Sequence, residues 1–183
     1  MNHLLASGPH LAVIPTLTAL AVRHFKHKQG QDDGGAGLEP KHPAVKFLLG
    51  AWNEGDFSEA RKHVAPGIGI YANGLSVSSD HGGPAMVRES IESWRALAPD
   101  LRMELREEIG AKHRIAIEFR ITGTHTGDAP ELPASGGPID VEGTAFLTLS
   151  GGKITEVRTV FDTLALAVQA GAAQAPAWWP GRS

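Results

Sequence analysis

The sequence predicts an α+β fold in which helices come first and an antiparallel sheet wraps over them, and three observations predict it. Between Pro43 and Leu97 apolar residues recur at helical spacing. From Leu101 to Asp162 they alternate with the two-residue period of strands. Helices gathered ahead of a strand meander are the signature of an α+β domain.

Taken in order, Pro43 suits a first helical position, and Val45, Leu48, Leu49 and Trp52 follow at helical spacing until Asn53-Glu54-Gly55-Asp56 breaks the pattern. A second short helix is expected over Ser58 to Val64, ended by Ala65-Pro66. Ile68, Ile70 and Ala72 alternate in a brief strand, and Asn73-Gly74 marks the turn after it. From Pro84 to Leu97 a third helix presents Met86, Val87, Ile91, Trp94 and Leu97 on one face and stops before Pro99. Leu101 to Ile109 and Arg114 to Thr122 follow as strands, the second alternating Ile115, Ile117, Phe119 and Ile121 against polar residues. Ile139 to Leu149 and Lys153 to Asp162 pair across Ser150-Gly151-Gly152, and Thr163 to Ala170 closes with a short helix.

The ends differ in character. Gln29 to Gly37 is polar and glycine-rich and reads as a linker, so residues 1–38 form an N-terminal extension, partly helical or disordered. Within it Pro15 to Lys28 has a helical stripe of Leu17, Leu20, Ala21 and Phe25. The folded domain is expected over 39–172 and a tail containing Trp178-Trp179-Pro180 over 173–183.

Composition narrows the function. The 183 residues, 42% hydrophobic, suffice for one core. With 17 basic and 20 acidic residues the chain has no positive field for a phosphate backbone, so nucleic acid is excluded as a partner. Cysteine is absent, which removes thiol nucleophiles and thiolate metal sites. The apolar run Leu11 to Val22 is too short for a transmembrane segment, and its basic cluster follows it rather than leading as in a signal peptide. A cytoplasmic protein is expected, with peripheral membrane contact by that run as the other reading. The nine histidines show no metal-ligand spacing, so no metal is expected. Dinucleotide, phosphate-loop and nucleophile-elbow motifs are all missing.

Candidate site residues lie on the strands. Alternation places Glu156, Arg158 and Asp162 on one face with Ile154 and Val160, and Glu118 and Arg120 on one face of the earlier strand. They read either as polar groups lining a cavity or as cross-strand ion pairs on a solvated face. Asp162 ends a strongly apolar strand; enclosed there, its carboxyl would titrate high enough to exchange protons near neutral pH. Capping of the last helix by Asp162 or Thr163 is the competing role. His125, in Gly123-Thr124-His125-Thr126-Gly127, stands where a strand gives way to a loop, a place from which a histidine at a cavity rim relays protons.

The run Gly123 to Gly127, then Gly143, then Gly152-Lys153-Ile154-Thr155-Glu156, then Phe161-Asp162-Thr163-Leu164 with Gln169 and Gly171, resembles the SnoaL-like polyketide cyclase family, as does Ala98-Pro99-Asp100-Leu101. The match spans roughly residues 43 to 171. Two departures stand out: Val157 and Arg158 replace the usual tryptophan and histidine, and the loop Asp128 to Pro138 is a loosened version of the family's turn. The resemblance implies the nuclear-transport-factor-2-like cone, a cystatin-like roll of three helices against a strongly curved mixed or antiparallel sheet enclosing a pocket. It also implies metal-free, cofactor-free ring closure by aldol chemistry, with Asp162 as the acid/base and His125 as a second polar wall.

The resulting expectation is a cofactor-independent cyclase or isomerase acting on an enolisable, hydrophobic, polyketide-like carbonyl compound. Asp162 removes the proton, Arg120 or His125 steadies the enolate, and Trp52, Tyr71, Trp94 and Phe146 wall the pocket, with Glu118 and Arg158 also facing the substrate. Core packing is the alternative for the two tryptophans. An epoxide-hydrolase arrangement using Arg120 and Asp162 with a second aspartate, and a non-catalytic ligand-binding or dimerisation module, remain open beside it. Pairing through the convex sheet face is expected to make a homodimer.

Overall fold

In the computed structural model, residues 37–77, 79, 81–129 and 133–175 are described. The helix expected over Pro15 to Lys28 and the Trp178-Trp179 segment lie outside the described residues.

Helix α1 (Pro43–Glu54) starts where expected, because proline occupies its first turn and His42 Nδ1 accepts the Ala44 N–H at 3.1 Å. It stops at Gly55, whose φ of 69° lets its N–H turn back to the Ala51 carbonyl at 3.2 Å. Ala44, Val45, Phe47, Leu48 and Ala51 are its buried stripe. Helix α2 (Ala60–His63) is a single turn, shorter than the sequence predicts, because Val64 already has extended backbone and opens strand β1 (Val64–Ala72). Asn73 and Gly74, both at positive φ, form the two-residue turn into β2 (Leu75–Ser76). Helix α3 (Gly83–Leu97) buries Met86, Val87 and Ile91.

Strands β3 (Arg102–Ala111), β4 (Arg114–Thr124), β5 (Pro138–Ser150) and β6 (Lys153–Phe161) complete one six-stranded sheet in the order β2-β1-β6-β5-β4-β3. Every pairing is antiparallel except β1 with β6, which is parallel and joins the first strand to the last. Register shifts interrupt β1, β3 and β6, and extra residues of this kind bend and twist a sheet.

The inner face carries the core. Ile115, Ile117, Phe119 and Ile121 of β4 and Ile139, Val141, Ala145, Leu147 and Leu149 of β5 are buried together with α1 and α3 residues. Each of the larger of these side chains, the isoleucines, leucines, Val141 and Phe119, contributes about 1.5–3 kcal/mol by leaving water. Gly143 interrupts this series for a steric reason: a Cβ there would lie 2.6 Å from Phe119 Cζ, directly across the ladder.

Both ends of the described chain tie to the sheet. Leu38 N–H donates to the Leu105 carbonyl at 2.7 Å along the outer edge of β3, and Lys41 and His42 donate to the Glu108 carboxylate at 2.9 Å. Beyond β6 the chain turns into α4 (Thr163–Gln169), leaving the start of β5 without a strand neighbour on that side. The Gln169 amide takes that place, accepting the Asp140 N–H at 2.9 Å and donating to the Asp140 carbonyl at 2.8 Å. Among the described residues no helix is long and apolar enough to cross a membrane.

One correction concerns β6. Leu149 pairs with Ile154 but Thr148 pairs with Glu156, so Thr155 is an extra residue and strict alternation fails there. Ile154 is consequently buried, while Glu156 and Arg158 stand on the opposite, outer face.

Candidate apolar cavity

The helices and the concave side of the sheet enclose a cavity of about 310 Å³. Trp52 comes from α1, Trp94 from α3, Ile68, Ile70 and Ala72 from β1, and Val157, Thr159 and Phe161 from β6. None of the lining side chains is ionisable; hydroxyls from Ser90, Ser93 and Thr159 are among its few polar groups.

Exposure of the walls gives the cavity a direction. Val45, Val64, Leu147 and Ile154 are at most 1% exposed, so they form the floor. Ser93 is exposed, and Ala72, Val77, Trp94, Thr159 and Phe161 are half-buried, so the cavity reaches the surface between α3, the end of β1 and the end of β6. At that mouth the rings of Trp94 and Phe161 meet edge to face at 5.4 Å, and Trp52 lies 6.3 Å from Trp94.

Of the residues singled out in the sequence, only Trp52 and Trp94 line this cavity. Tyr71 and Phe146 face the other way. Phe146 is 51% exposed on the outer sheet surface, and Tyr71 lies under the Arg158 guanidinium, 4.2 Å from its ring centre. Arg158 also pairs with Glu156 at 2.9 Å, which lowers the Glu156 carboxyl and raises the guanidinium from their ordinary values. Arg120 donates two 2.7 Å hydrogen bonds to the Asp140 carboxylate, so it does meet an aspartate, but away from the cavity walls.

Asp162 is exposed, and its carboxylate accepts the Ala165 N–H at 2.8 Å as the cap of α4. The enclosure expected for it is absent. It shares a shallow outer groove with Glu118 and Glu142, next to Phe161, whose ring belongs to the cavity wall.

His125 is 1% exposed yet is not a cavity residue. Its backbone bonds to Gly136 and Gly137, and its Nδ1 lies 3.1 Å from Ser135 Oγ and accepts the Ser135 N–H at 3.3 Å. His125 therefore closes the neck of the loop that follows β4, and its Nε2 is buried without a partner among the described residues. Beside the mouth, Glu89 accepts Ser79 Oγ–H and pairs with His81 Nδ1 at 2.6 Å; the Ser79 bond first, and His81 after it, hold the Glu89 carboxyl below the usual range. Among the described residues no three acidic, histidine or cysteine side chains group to hold a metal ion.

The rim hydroxyls were not anticipated from the sequence, though Ser90 left a signal. It interrupts the apolar stripe of α3, four residues before Trp94 and next to Ile91, where a core-facing helix would ordinarily carry hydrocarbon.

Three comparisons bear on this architecture. The model of the SnoaL-like polyketide cyclase family matches residues 42–170. No curated protein matches the sequence. Among solved structures, AclR from Streptomyces galilaeus, a proposed hydroxylase, is 26% identical with a TM-score of 0.61, over 73% of this chain and 87% of its own. IdmH from Streptomyces antibioticus, a proposed polyketide cyclase, is 21% identical with a TM-score of 0.59, over 70% of this chain and 96% of its own. A proposed SnoaL-like polyketide cyclase from Jannaschia sp. CCS1 is 21% identical with a TM-score of 0.61, over 76% of this chain and all of its own. The last two likenesses establish a shared fold, and a fold of this kind hosts more than one chemistry. The family match covers most of the chain and every described helix and strand, from the cap of α1 to the end of α4: the chain belongs to the SnoaL-like polyketide cyclase family.

Proposed function

We propose that this protein binds a small, largely apolar carbonyl compound inside the cone. One observation carries the reading: a cavity of about 310 Å³, lined by aromatic and aliphatic side chains with a few hydroxyls and no ionisable group. Such a wall favours hydrocarbon and offers an enclosed charge no partner. The probe is 2-acetylnaphthalene, a flat ketone, titrated by calorimetry. Saturable binding is expected, and Ala72→Trp, which fills the mouth, is expected to abolish it in a protein whose circular dichroism is unchanged; Val77→Trp serves if the first variant does not fold. Binding that survives a folded, blocked mouth would place the ligand elsewhere and sink the reading.

A second reading, cyclase or isomerase chemistry by acid/base catalysis, is favoured by one specific feature. Asp162 directly follows Phe161, which borders both the cavity and the outer groove that holds Asp162, so in this reading its carboxylate reaches from that groove to a proton next to a ligand carbonyl at the mouth. In this reading Asp162 takes that proton and rim hydroxyls steady the enolate oxygen. Exchange of the acetyl methyl protons of 2-acetylnaphthalene into deuterated water tests it. Wild-type protein should accelerate exchange and Asp162→Asn should not; equal rates for the two would remove Asp162 from the chemistry.

We also propose that two copies associate through the outer sheet face, where Ile109, Phe146 and Val160 are exposed together.

A further inference from the structure

The cavity is polar at one end only. Its floor, formed by Val45, Val64, Ile68, Ile91, Leu147 and Ile154, is buried hydrocarbon. Its hydroxyls belong to the mouth. Half-buried Ser90 and exposed Ser93 precede Trp94 on α3, and half-buried Thr159 lies two residues before Phe161 on the same inner face of β6. Ser93 Oγ donates to the Glu89 carbonyl at 2.8 Å and so keeps only acceptor capacity. That leaves Ser90 and Thr159 as hydroxyl donors for an oxygen entering from solvent.

We infer that the site selects a monopolar, uncharged ligand, with a hydrocarbon ring body against the floor and one carbonyl oxygen at the mouth, hydrogen-bonded by Ser90 and Thr159. This rests on the cavity being a ligand site and adds to it an orientation and a rule of rejection. A second polar group at the far end of the ligand would be stripped of water against Val64 and Ile154 with no partner. A ring oxygenated on all sides fails for that reason, whatever its shape. A carboxylate there fails by more.

Three compounds built on one naphthalene body test the inference by calorimetry on the full chain: 2-acetylnaphthalene, 2-ethylnaphthalene, which lacks the oxygen, and 6-acetyl-2-naphthoate, which adds a charged group at the opposite end. The ketone is expected to bind about tenfold more tightly than the ethyl compound, a step matching one or two net hydrogen bonds. The keto acid is expected to bind at least about 100-fold more weakly than the ketone. Ser90→Ala with Thr159→Val should remove the preference for the ketone over the ethyl compound, bringing the two affinities together. A keto acid that binds as well as the ketone overturns the inference, and so does a ketone preference that survives the double variant. If neither neutral compound binds, the cavity itself is not a ligand site, and that outcome refutes the underlying reading rather than its polarity alone.

Discussion

At Asp162 the carboxylate accepts the Ala165 N–H, satisfying one of the donors that a helix leaves unpaired at its start. That bond and any proton transfer make different demands on the same side chain. Capping needs an acceptor oxygen, which asparagine also supplies, whereas proton abstraction needs an ionisable group. Asp162→Ala is therefore expected to cost about 1 kcal/mol, lowering the thermal midpoint by roughly 2–4 °C, while Asp162→Asn stays within a fraction of that. Differential scanning calorimetry on the two variants checks this; equal losses would mean that the carboxylate charge, rather than its acceptor, stabilises the helix. The sequence left capping and catalysis both open here for a physical reason. Residues near a strand end face either side depending on the ladder around them, and local pattern does not say which. For Phe146 a signal did exist: Ile139, Val141, Ala145, Leu147 and Leu149 are odd-numbered and buried, so an even-numbered aromatic in the same strand had to face outward.

Elements are joined by carboxylates as well as by hydrocarbon. Asp100, in the turn between α3 and β3, accepts both the Thr124 N–H and the Thr124 hydroxyl at 2.8 Å, tying that turn to the end of β4. These bonds, the backbone one foremost, hold the Asp100 carboxyl below its ordinary range. Glu89 is lowered likewise by Ser79 and then His81, which fasten the segment before α3 to the helix itself. The sign follows from linkage: a carboxyl whose folded pKa is depressed stabilises the fold above its unfolded pKa, and that contribution disappears as pH falls through the folded value. Stability is thus expected to hold from neutrality to about pH 4 and to drop below it. Urea midpoints measured between pH 6 and pH 3 should fall less for Asp100→Asn than for wild type, since asparagine keeps the acceptor and loses the titration. An identical fall in both proteins would show that Asp100 takes no part. The helices and strands themselves were largely legible, because each has a clear period and a glycine or proline at its boundary: Pro43 and Gly55 for α1, Asn73-Gly74 for the β1 turn, Gly151-Gly152 for the last hairpin. Helix α2 was drawn too long because Val64 suits either state, and its pairing with Ile154, 90 residues away, decides for strand.

At the scale of the molecule, the sequence could not disclose what depends on long-range register. The parallel pairing of β1 with β6 and the extra residue at Thr155 turn Tyr71 and Arg158 to the outer face, away from the cavity they were expected to line. The same register explains what that outer face has become. Ile109, Ala116, Phe146, Arg158 and Tyr71 are successive partners across five strands, one continuous row, with Val160 beside it on β6. Ile109, Phe146 and Val160 are 61%, 51% and 57% exposed, an apolar grouping that a solvated sheet ordinarily avoids. A second copy laid on this face removes all three from water, and Arg114, Glu107 and Glu118, exposed around the row, supply charges of both signs for its rim. Sedimentation equilibrium of wild-type protein is therefore expected to give a dimer at micromolar concentration. Phe146→Glu, which puts a charge at the centre of the row, is expected to give a monomer with an unchanged circular dichroism spectrum. Because Phe146 lies outside the cavity wall, the same variant should still bind 2-acetylnaphthalene with wild-type affinity. A wild-type protein that sediments as a monomer at 100-fold higher concentration, about 100 μM, would leave the row without this partner.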